Sequence, residues 1–331
     1  MQRREFMEMA AGAFAASALS GCAGKSTPPI DTKVIPTSSA LTEAAAFDAA
    51  RRFADTSFGR IAYVDRGSGD ATALFLHGFP LSGFQWRAAI DRLCPYRRCI
   101  APDFMALGLT DVAEGQSVGP DAQVDMIVAL LDRLSIATAD VIASDSGGAV
   151  AQLLVARHTS RVRTLLLTNC DSEIDSPPLP LLPVIELSRS GRFVDEWLAP
   201  WLADKTLARS EKGIGGMCYA DPSHPTDEAI EHYFAPLVSF PLRKTQVHEY
   251  AVALERNALA GVSKVLKQCA TPTRIVWGTA DTIFSPVSPT YLDRTFGNSR
   301  GVRRLPGEKL FWPEELPDVV AEEAMQLWRT R

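Results

Sequence analysis

Residues 141–150 read Val-Ile-Ala-Ser-Asp-Ser-Gly-Gly-Ala-Val and place two reactive side chains in one tight turn between an apolar strand and a helix. Small residues flank both, as a strained turn that lifts a nucleophile toward a ligand requires. The tip of the turn is either Asp145 or Ser146. An aspartate is already ionised at neutral pH and needs no base, whereas a serine hydroxyl does. Local sterics leave both registers open.

Short apolar runs alternate with helical patterns on both sides of this turn. The predicted strands are residues 60–64, 71–76, 98–101, 139–143, 162–168, 273–277 and 301–305. Helices are predicted at residues 121–134 and 147–157, and from Asp318 onward. Strands that are apolar on both faces and separated by helices indicate an α/β fold with a parallel sheet covered on both sides.

The pattern changes after Asp171, where residues 176–180 read Ser-Pro-Pro-Leu-Pro. Helical segments follow to about Gln268 without a strand-like run, and strands then resume. One helical insertion within one α/β domain explains this order better than two separate domains. We predict a core formed by residues 47–171 and 269–331, and a helical cap formed by residues 172–268.

The first 22 residues are predicted to be an export signal. Arg3 and Arg4 precede a short apolar run and resemble a twin-arginine signal, while residues 19–22, Leu-Ser-Gly-Cys, resemble a lipobox with Cys22 as the lipidated residue. Residues 23–46 are rich in Ser, Thr and Pro and are predicted to form a flexible tether. We therefore expect a periplasmic or cell-envelope lipoprotein that touches the membrane only through this anchor.

The composition of the chain limits which binding partners, disulfides and metal sites can be expected. A net charge of −5 gives no basic patch for nucleic acid. The six cysteines become five if Cys22 carries lipid, and an odd number does not form a disulfide framework. Cys94 and Cys99 are close enough in sequence to pair in an oxidising compartment, although buried free thiols are favoured. No Cys/His spacing indicates a metal site. The oligomeric state stays open.

From about Phe53 onward the chain resembles the α/β-hydrolase fold. Residues 77–80, His-Gly-Phe-Pro, match the turn after the third strand of that fold, and residues 101–104, Ala-Pro-Asp-Phe, match the turn after the fourth. The serine members have a nucleophile, one residue and Gly-Gly-Ala, and later Arg-His and Arg-Val. Laid on this chain without gaps, that pattern puts the nucleophile at Asp145. The resemblance is therefore to the aspartate branch, which includes epoxide hydrolases and haloalkane dehalogenases.

The resemblance implies a sheet of about eight strands, with the cap inserted after the sixth, and a role for each matched residue. In this branch the carboxylate attacks an sp3 carbon and displaces an alkoxide or a halide. Water then hydrolyses the resulting ester with help from a histidine that an acid holds. The implied roles are Asp145 as nucleophile, Phe79 and Ser146 N–H as oxyanion donors, His77 as loop support, and Asp281 as the acid, with Asp171 as an alternative.

The chain departs from the family pattern at the catalytic histidine. Residues 307–315 read Gly-Glu-Lys-Leu-Phe-Trp-Pro-Glu-Glu, so Leu310 occupies the histidine position. His224, His232 and His248 in the cap are alternative bases, as are Lys309 and Glu308. Tyr219, Tyr233 and Tyr250 are the cap tyrosines that could protonate an opening epoxide.

Two functions follow from these residues. The first is a cofactor-independent hydrolase that cleaves an epoxide, ester or carbon–halogen bond in a small apolar substrate. The second is a ligand-binding protein on a hydrolase scaffold that has lost turnover with its histidine. Ser146 directly after the nucleophile, where dehalogenases of this branch usually carry Trp, argues against a dehalogenase.

Overall fold

The computed structural model describes residues 42–329. The predicted export signal, Cys22 and most of the predicted tether lie outside this range. The tether prediction was wrong for residues 43–46, because a helix begins at Glu43. The Thr42 hydroxyl accepts a hydrogen bond from the N–H of Ala45, which caps this helix, and Phe47 packs edge-on against Phe84 of the core.

An eight-stranded, mostly parallel sheet forms the core of the described chain, which confirms the predicted fold class. Its strands are β1 Arg51–Thr56, β2 Gly59–Arg66, β3 Thr72–Leu76, β4 Arg98–Pro102, β5 Ala139–Asp145, β6 Val162–Cys170, β7 Thr273–Gly278 and β8 Ser299–Leu305. The spatial order is β1-β2-β4-β3-β5-β6-β7-β8. β2 pairs antiparallel with both β1 and β4, and the other neighbours are parallel. β3 and β5 are buried along their whole length, as their apolar sequences predict.

Helices cover both faces of the sheet and form the segment between β6 and β7. The α-helices are α1 Glu43–Ala49, α2 Arg87–Leu93, α3 Pro120–Arg133, α4 Ser146–Arg157, α5 Leu182–Arg189, α6 Ala199–Ala203, α7 Lys205–Arg209, α8 Ile214–Cys218, α9 Asp227–Val238, α10 Pro241–Ala253, α11 Ser263–Leu266, α12 Ser288–Thr295, α13 Trp312–Glu315 and α14 Pro317–Trp328. Short 3-10 helices occur at Gly83–Trp86, Thr159–Arg161 and Leu179–Leu181, and a π-helix occurs at Val194–Leu198. None of the helices in the described range is long and apolar enough to cross a bilayer.

The segment between β6 and β7 contains no named strand within the described chain. Its helices α5 and α10 pack against each other. We call this segment the cap, as in the sequence-based prediction. It ends before β7, so the core is built from two stretches of chain on either side of it.

A buried polar group, which we call the Glu314 cluster, fastens the cap to the core. Glu314 Oε2 accepts hydrogen bonds from Arg87 Nη1 at 2.5 Å and from the Tyr233 hydroxyl at 2.9 Å, and Oε1 accepts one from the Tyr219 hydroxyl at 2.6 Å. Arg87 Nε also donates to Glu43 in α1 at 2.7 Å. Removing one member of such a buried pair leaves an uncompensated charge and destabilises a protein by about 3–5 kcal/mol.

Candidate active site

Asp145 is the last residue of β5 and forms the tip of the turn into α4. Its φ of 55° and ψ of −134° are rare for a residue with a side chain and represent about 1–3 kcal/mol of strain. Gly147 permits the turn, because a Cβ there would lie 2.4 Å from the carbonyl oxygen of His77. Ser146 is already helical. The structure therefore puts the carboxylate, and not the hydroxyl, at the strained position.

Two backbone N–H groups hold one oxygen of the Asp145 carboxylate. The N–H of Phe79 donates to Oδ1 at 3.0 Å, and the N–H of Ser146 donates to the same oxygen at 2.5 Å. These are the two donors that the sequence resemblance assigns to an oxyanion hole. Because both reach Oδ1, the other oxygen, Oδ2, is the one left to meet a substrate.

Burial raises the pKa of the Asp145 carboxyl above its ordinary value, and the hydrogen bonds from Phe79 and Ser146 oppose that shift. The side chain is 8% exposed. A carboxylate with so little water around it is a more reactive nucleophile, provided that fixed N–H dipoles keep it ionised. The turn from β5 into α4, which we call the elbow, supplies both conditions.

His77 supports the loop that carries Phe79. Its Nε2 accepts a hydrogen bond from the N–H of Phe104 at 2.9 Å, so its Nδ1 carries the proton that faces the carbonyl oxygen of Gly78 at 2.8 Å. Burial lowers the pKa of His77 to about 4, which keeps the imidazole neutral. Both ring nitrogens are thus engaged with backbone and are not directed at Asp145.

Asp281 lies after β7, and its carboxylate is hydrogen-bonded to a backbone N–H and an asparagine side chain. Its carboxylate accepts hydrogen bonds from the N–H of Ile283 and from Nδ2 of Asn169, both at 2.8 Å. Burial raises the pKa of Asp281 to about 6 against these hydrogen bonds, and the charge of Asp145 adds to the rise. No imidazole within residues 42–329 hydrogen-bonds to this carboxylate.

Asp171, the alternative acid, follows β6 directly. Burial, together with the charge of Asp145, raises its pKa well above the ordinary value, while a hydrogen bond from the Ser176 side chain opposes the rise. The structure therefore gathers Asp145, Asp171 and Asp281 at the carboxyl ends of three adjacent strands, where ligand sites of parallel sheets form.

A cavity of about 120 Å³ lies above Asp145, between the sheet and the cap. Its wall is mainly apolar and includes the aromatic side chains of Phe79, Phe193, Trp197, Trp201 and Phe311. Among the lining residues of the described chain, only Asp145 and Cys218 carry an ionisable group. A larger open groove of about 450 Å³ beside the start of α3 contains no strained or fully buried carboxylate. The smaller, apolar cavity is therefore the candidate active site, because Asp145 lines it.

Leu310 lines the same cavity and is 2% exposed. An imidazole at this position would stand in the cavity with Asp145. The isobutyl side chain offers neither a proton nor a lone pair, so the position contributes only apolar surface. Neither Asp281 nor Asp171 lines the cavity.

The structure does not bring the candidate cap acids Tyr219 and Tyr233 to Asp145. Both hydroxyls donate to Glu314, as part of the Glu314 cluster, and neither residue lines the cavity. These two assignments are corrected: their hydroxyl protons satisfy a buried carboxylate. Tyr250 lies closer, because its ring stacks on Phe79 and its hydroxyl is 3.2 Å from Ser146 Oγ.

The candidate cap histidines are also placed elsewhere. Nε2 of His248 accepts a hydrogen bond from the N–H of Val194 at 3.2 Å, and burial lowers the pKa of that imidazole. His232 stacks on Phe84 beside Asp48, and His224 stacks on Tyr219. None of these three lines the cavity, so the role of His248 as a base at Asp145 is corrected.

The remaining predicted bases are placed as follows. Lys309 Nζ donates to the carbonyl oxygen of Gly216 at 2.6 Å, and Glu308 does not line the cavity. Sequence reasoning missed the position of Asn169 beside Asp281 and that of Cys218 in the cavity wall. Asn169 lies at the end of a buried strand, where a polar residue is itself a signal, whereas no local pattern distinguishes Cys218.

Within residues 42–329 no group of three or more His, Cys, Asp or Glu side chains is arranged to hold a metal ion. All five cysteines in this range, Cys94, Cys99, Cys170, Cys218 and Cys269, are free thiols. Cys99 is buried, whereas Cys94 is only half-buried.

Comparison with known proteins decides the family. The sequence pattern of the α/β hydrolase fold family matches residues 74–314, which is well over half of the chain. The chain belongs to the α/β-hydrolase fold family. The matched range includes every residue of the α/β-hydrolase site described above, from His77 to Leu310.

Proteins similar to this α/β-hydrolase include some named as haloalkane dehalogenases and epoxide hydrolases. Haloalkane dehalogenase 2 of Mycobacterium bovis and of Mycobacterium tuberculosis is 27% identical over 276 residues, which covers 82% of this chain and 92% of the relative. An epoxide hydrolase structure, solved without ligand, superposes with a TM-score of 0.70 at 21% identity, covering 84% of this chain and 98% of that one. A putative ancestral haloalkane dehalogenase superposes with a TM-score of 0.67 at 22% identity, covering 84% and 100%. The two structures show the shared fold.

Proposed function

We propose that this α/β-hydrolase cleaves a carbon–oxygen bond of an epoxide or a carbon–halogen bond in a small apolar molecule, with Asp145 as the nucleophile. One observation carries the proposal: Asp145 is at the strained tip of the elbow with Oδ1 fixed by two N–H groups. The names of the relatives, haloalkane dehalogenase and epoxide hydrolase, support the same two bond types.

The first step is a displacement at an sp3 carbon. Oδ2 of Asp145 forms a bond to that carbon as the carbon–oxygen or carbon–halogen bond breaks, and the leaving group takes the bonding electrons. The product is an alkyl ester of Asp145 and an alkoxide or halide. An ester substrate is less favoured, because attack at its carbonyl would create an oxyanion while Asp145 itself occupies the two N–H donors.

The second step is hydrolysis of the ester by water at Cγ of Asp145. The N–H groups of Phe79 and Ser146 already hold Oδ1, so they can stabilise the negative charge that develops on it. What the cavity lacks within the described chain is an imidazole to activate the water. General-base help contributes about 10²–10⁴-fold, so ester hydrolysis should be slow by that factor where nothing replaces it.

Mass spectrometry of the intact protein tests this function. After incubation with a phenylalkyl bromide, we expect a mass increase equal to the alkyl group without the halide, located on the peptide that contains Asp145. The mass of the same protein after a brief incubation at 0 °C, before any reaction, is the reference. Neither a mass increase nor released halide over many hours, with several chain lengths, would contradict the proposal.

A second function, ligand binding without turnover, is favoured by one specific observation, the apolar side chain of Leu310 in the cavity beside Asp145. It predicts a saturable change in tryptophan fluorescence, since Trp197 and Trp201 line the cavity, with no covalent product. Covalent labelling of Asp145 by the ligand would exclude it.

We further propose that the protein is exported and anchored in the cell envelope through lipidation of Cys22. Support comes from the order of the arginine pair, apolar run and lipobox-like residues 19–22 in the sequence. We expect wild-type protein in the detergent phase of a bacterial extract and Cys22→Ala protein in the aqueous phase. Equal partition of the wild-type and Cys22→Ala proteins would contradict a lipid anchor at Cys22.

A further inference from the structure

Cys218 is the second ionisable side chain of the Asp145 cavity. It is the last residue of the cap helix α8 and is 7% exposed. Its thiol lines the cavity and makes no hydrogen bond to any group in the described part of the chain. A thiol is a weak hydrogen-bond donor and is often buried, so this side chain can exchange its proton with a molecule bound in the cavity without losing a partner in the described chain.

Hydrogen bonds place Cys218 against the segment in which Leu310 stands. The N–H of Phe311 donates to the carbonyl oxygen of Cys218 at 2.9 Å, and Lys309 Nζ donates to the carbonyl oxygen of Gly216 at 2.6 Å. Residues on both sides of Leu310 therefore bind the end of α8. Cys218 therefore lines the cavity from the cap, and Leu310, at the position of the family histidine, lines the same cavity from the core.

The surroundings keep this thiol protonated at rest. Burial raises the pKa of Cys218 well above its ordinary value, and the negative charges of Asp145 and Asp281 raise it further, while Lys309 opposes them. A thiol with these neighbours is a poor nucleophile before reaction. It remains a far stronger acid than an aliphatic alcohol, so it can still protonate an alkoxide.

We propose that Cys218 is the proton donor and acceptor for epoxide substrates, giving its proton to the ring oxygen in the first step and taking one from water in the second. This inference rests on the proposed function of Asp145. It assigns to one cap thiol both the acid work of ring opening and the base work that Leu310 does not perform.

The two steps balance. Asp145 Oδ2 attacks a ring carbon, the carbon–oxygen bond breaks, and the ring oxygen takes the proton of Cys218, which gives a hydroxyalkyl ester and a thiolate. The thiolate then removes a proton from water as the hydroxide attacks Cγ of Asp145. The ester bond breaks, the departing alkoxide takes the proton of the tetrahedral intermediate, and the products are a diol, the Asp145 carboxylate and the Cys218 thiol.

A haloalkane cannot use this cycle. Its halide leaves without a proton, so Cys218 keeps its own proton and is not available as a base. The same cavity should therefore turn over epoxides and retain the ester formed from haloalkanes. This difference between substrates separates a thiol that acts from one that merely fills space.

The test compares wild-type protein, Cys218→Ala and Cys218→Ser with a phenyl-substituted epoxide and a phenylalkyl bromide, measuring diol release and the mass of the protein. We expect wild-type protein to release diol and Cys218→Ala to release it at least ~100-fold more slowly. Cys218→Ser should resemble the alanine variant, since a hydroxyl is a weaker acid. Cys94→Ser, which changes a half-exposed thiol, should behave as wild type.

Other outcomes would contradict either the role of Cys218 or the proposed function of Asp145. Diol release by Cys218→Ala at the wild-type rate overturns the inference, as does a wild-type protein that forms the ester from the epoxide and never releases diol. Labelling of Cys218→Ala by the bromide shows that the variant is folded. Wild-type protein that reacts with neither substrate contradicts the proposed function itself, so the two failures are distinguishable.

Discussion

Asp145→Asn is expected to abolish covalent labelling and substrate consumption, with a loss of ~10⁴-fold or more. A carboxamide is neutral and its oxygen is a poor nucleophile, whereas the carboxylate attacks without prior deprotonation. The change is isosteric, and the amide oxygen still accepts the N–H groups of Phe79 and Ser146 that hold Oδ1. We therefore expect the variant to fold and to bind substrate normally.

The measurement is intact mass against time with the phenylalkyl bromide, beside thermal unfolding. Asp145→Asn should unfold at the wild-type temperature or above it, because it removes a buried charge whose pKa is already raised by desolvation. Ser146→Ala keeps its backbone N–H and should still be labelled on Asp145. Labelling that persists in Asp145→Asn and disappears in Ser146→Ala would identify the hydroxyl as the nucleophile and reverse the assignment.

Leu310→His is expected to convert a retained ester into one that is hydrolysed, raising haloalkane turnover by ~10²–10⁴-fold. The new imidazole would stand in the cavity that Leu310 now lines with Asp145, on the segment that begins after β8. We expect Asp281 to orient it, because Asp281 follows β7, the neighbour of β8. Burial raises the pKa of Asp281 to about 6, so its carboxylate is ionised at pH 7.5. Below pH 6 that support is lost as Asp281 takes up a proton, and the gain should fall.

The control for this variant is Leu310→Phe, which also replaces the side chain with a ring but supplies no base. Both variants should form the ester, and only Leu310→His should release alcohol and be labelled again. Halide release in a single equivalent by both variants would show that a base at position 310 is not what hydrolysis lacks. Thermal unfolding checks the cost of burying a polar ring in this apolar wall, which is about 1–3 kcal/mol.

Sequence patterns located the sheet because its central strands are apolar on both faces. The predicted segments at 71–76 and 139–143 correspond to β3 and β5, which are buried throughout. β1 was not predicted, since Arg51–Thr56 carries two arginines and an aspartate and lies at an edge of the sheet, where one face meets solvent. Helix α1 was missed because docking of Phe47 against the core, a long-range contact, stabilises it.

The candidate site was predictable on the core side and not on the cap side. Ligand sites form at the carboxyl ends of parallel strands, so Phe79, Asp145 and Asp281 could be placed there from their positions at or just after the ends of β3, β5 and β7. Which cap tyrosine approaches the elbow depends on how short helices rotate. Tyr219 and Tyr233 turn toward Glu314, a residue about 90 positions away whose buried charge no local pattern reveals.

The Glu314 cluster also has a consequence for how molecules reach Asp145. Glu314 binds Arg87 of the core and Tyr219 and Tyr233 of the cap. If the cap swung away from the core, the buried Glu314 carboxylate would lose its two tyrosine partners, which is energetically costly. We expect substrates to enter instead beside the Leu179–Leu181 turn, because Leu179 is 76% exposed while Leu181 lines the cavity. Narrow substrates would then reach Asp145 while the cap stays closed, and bulky substrates would be excluded.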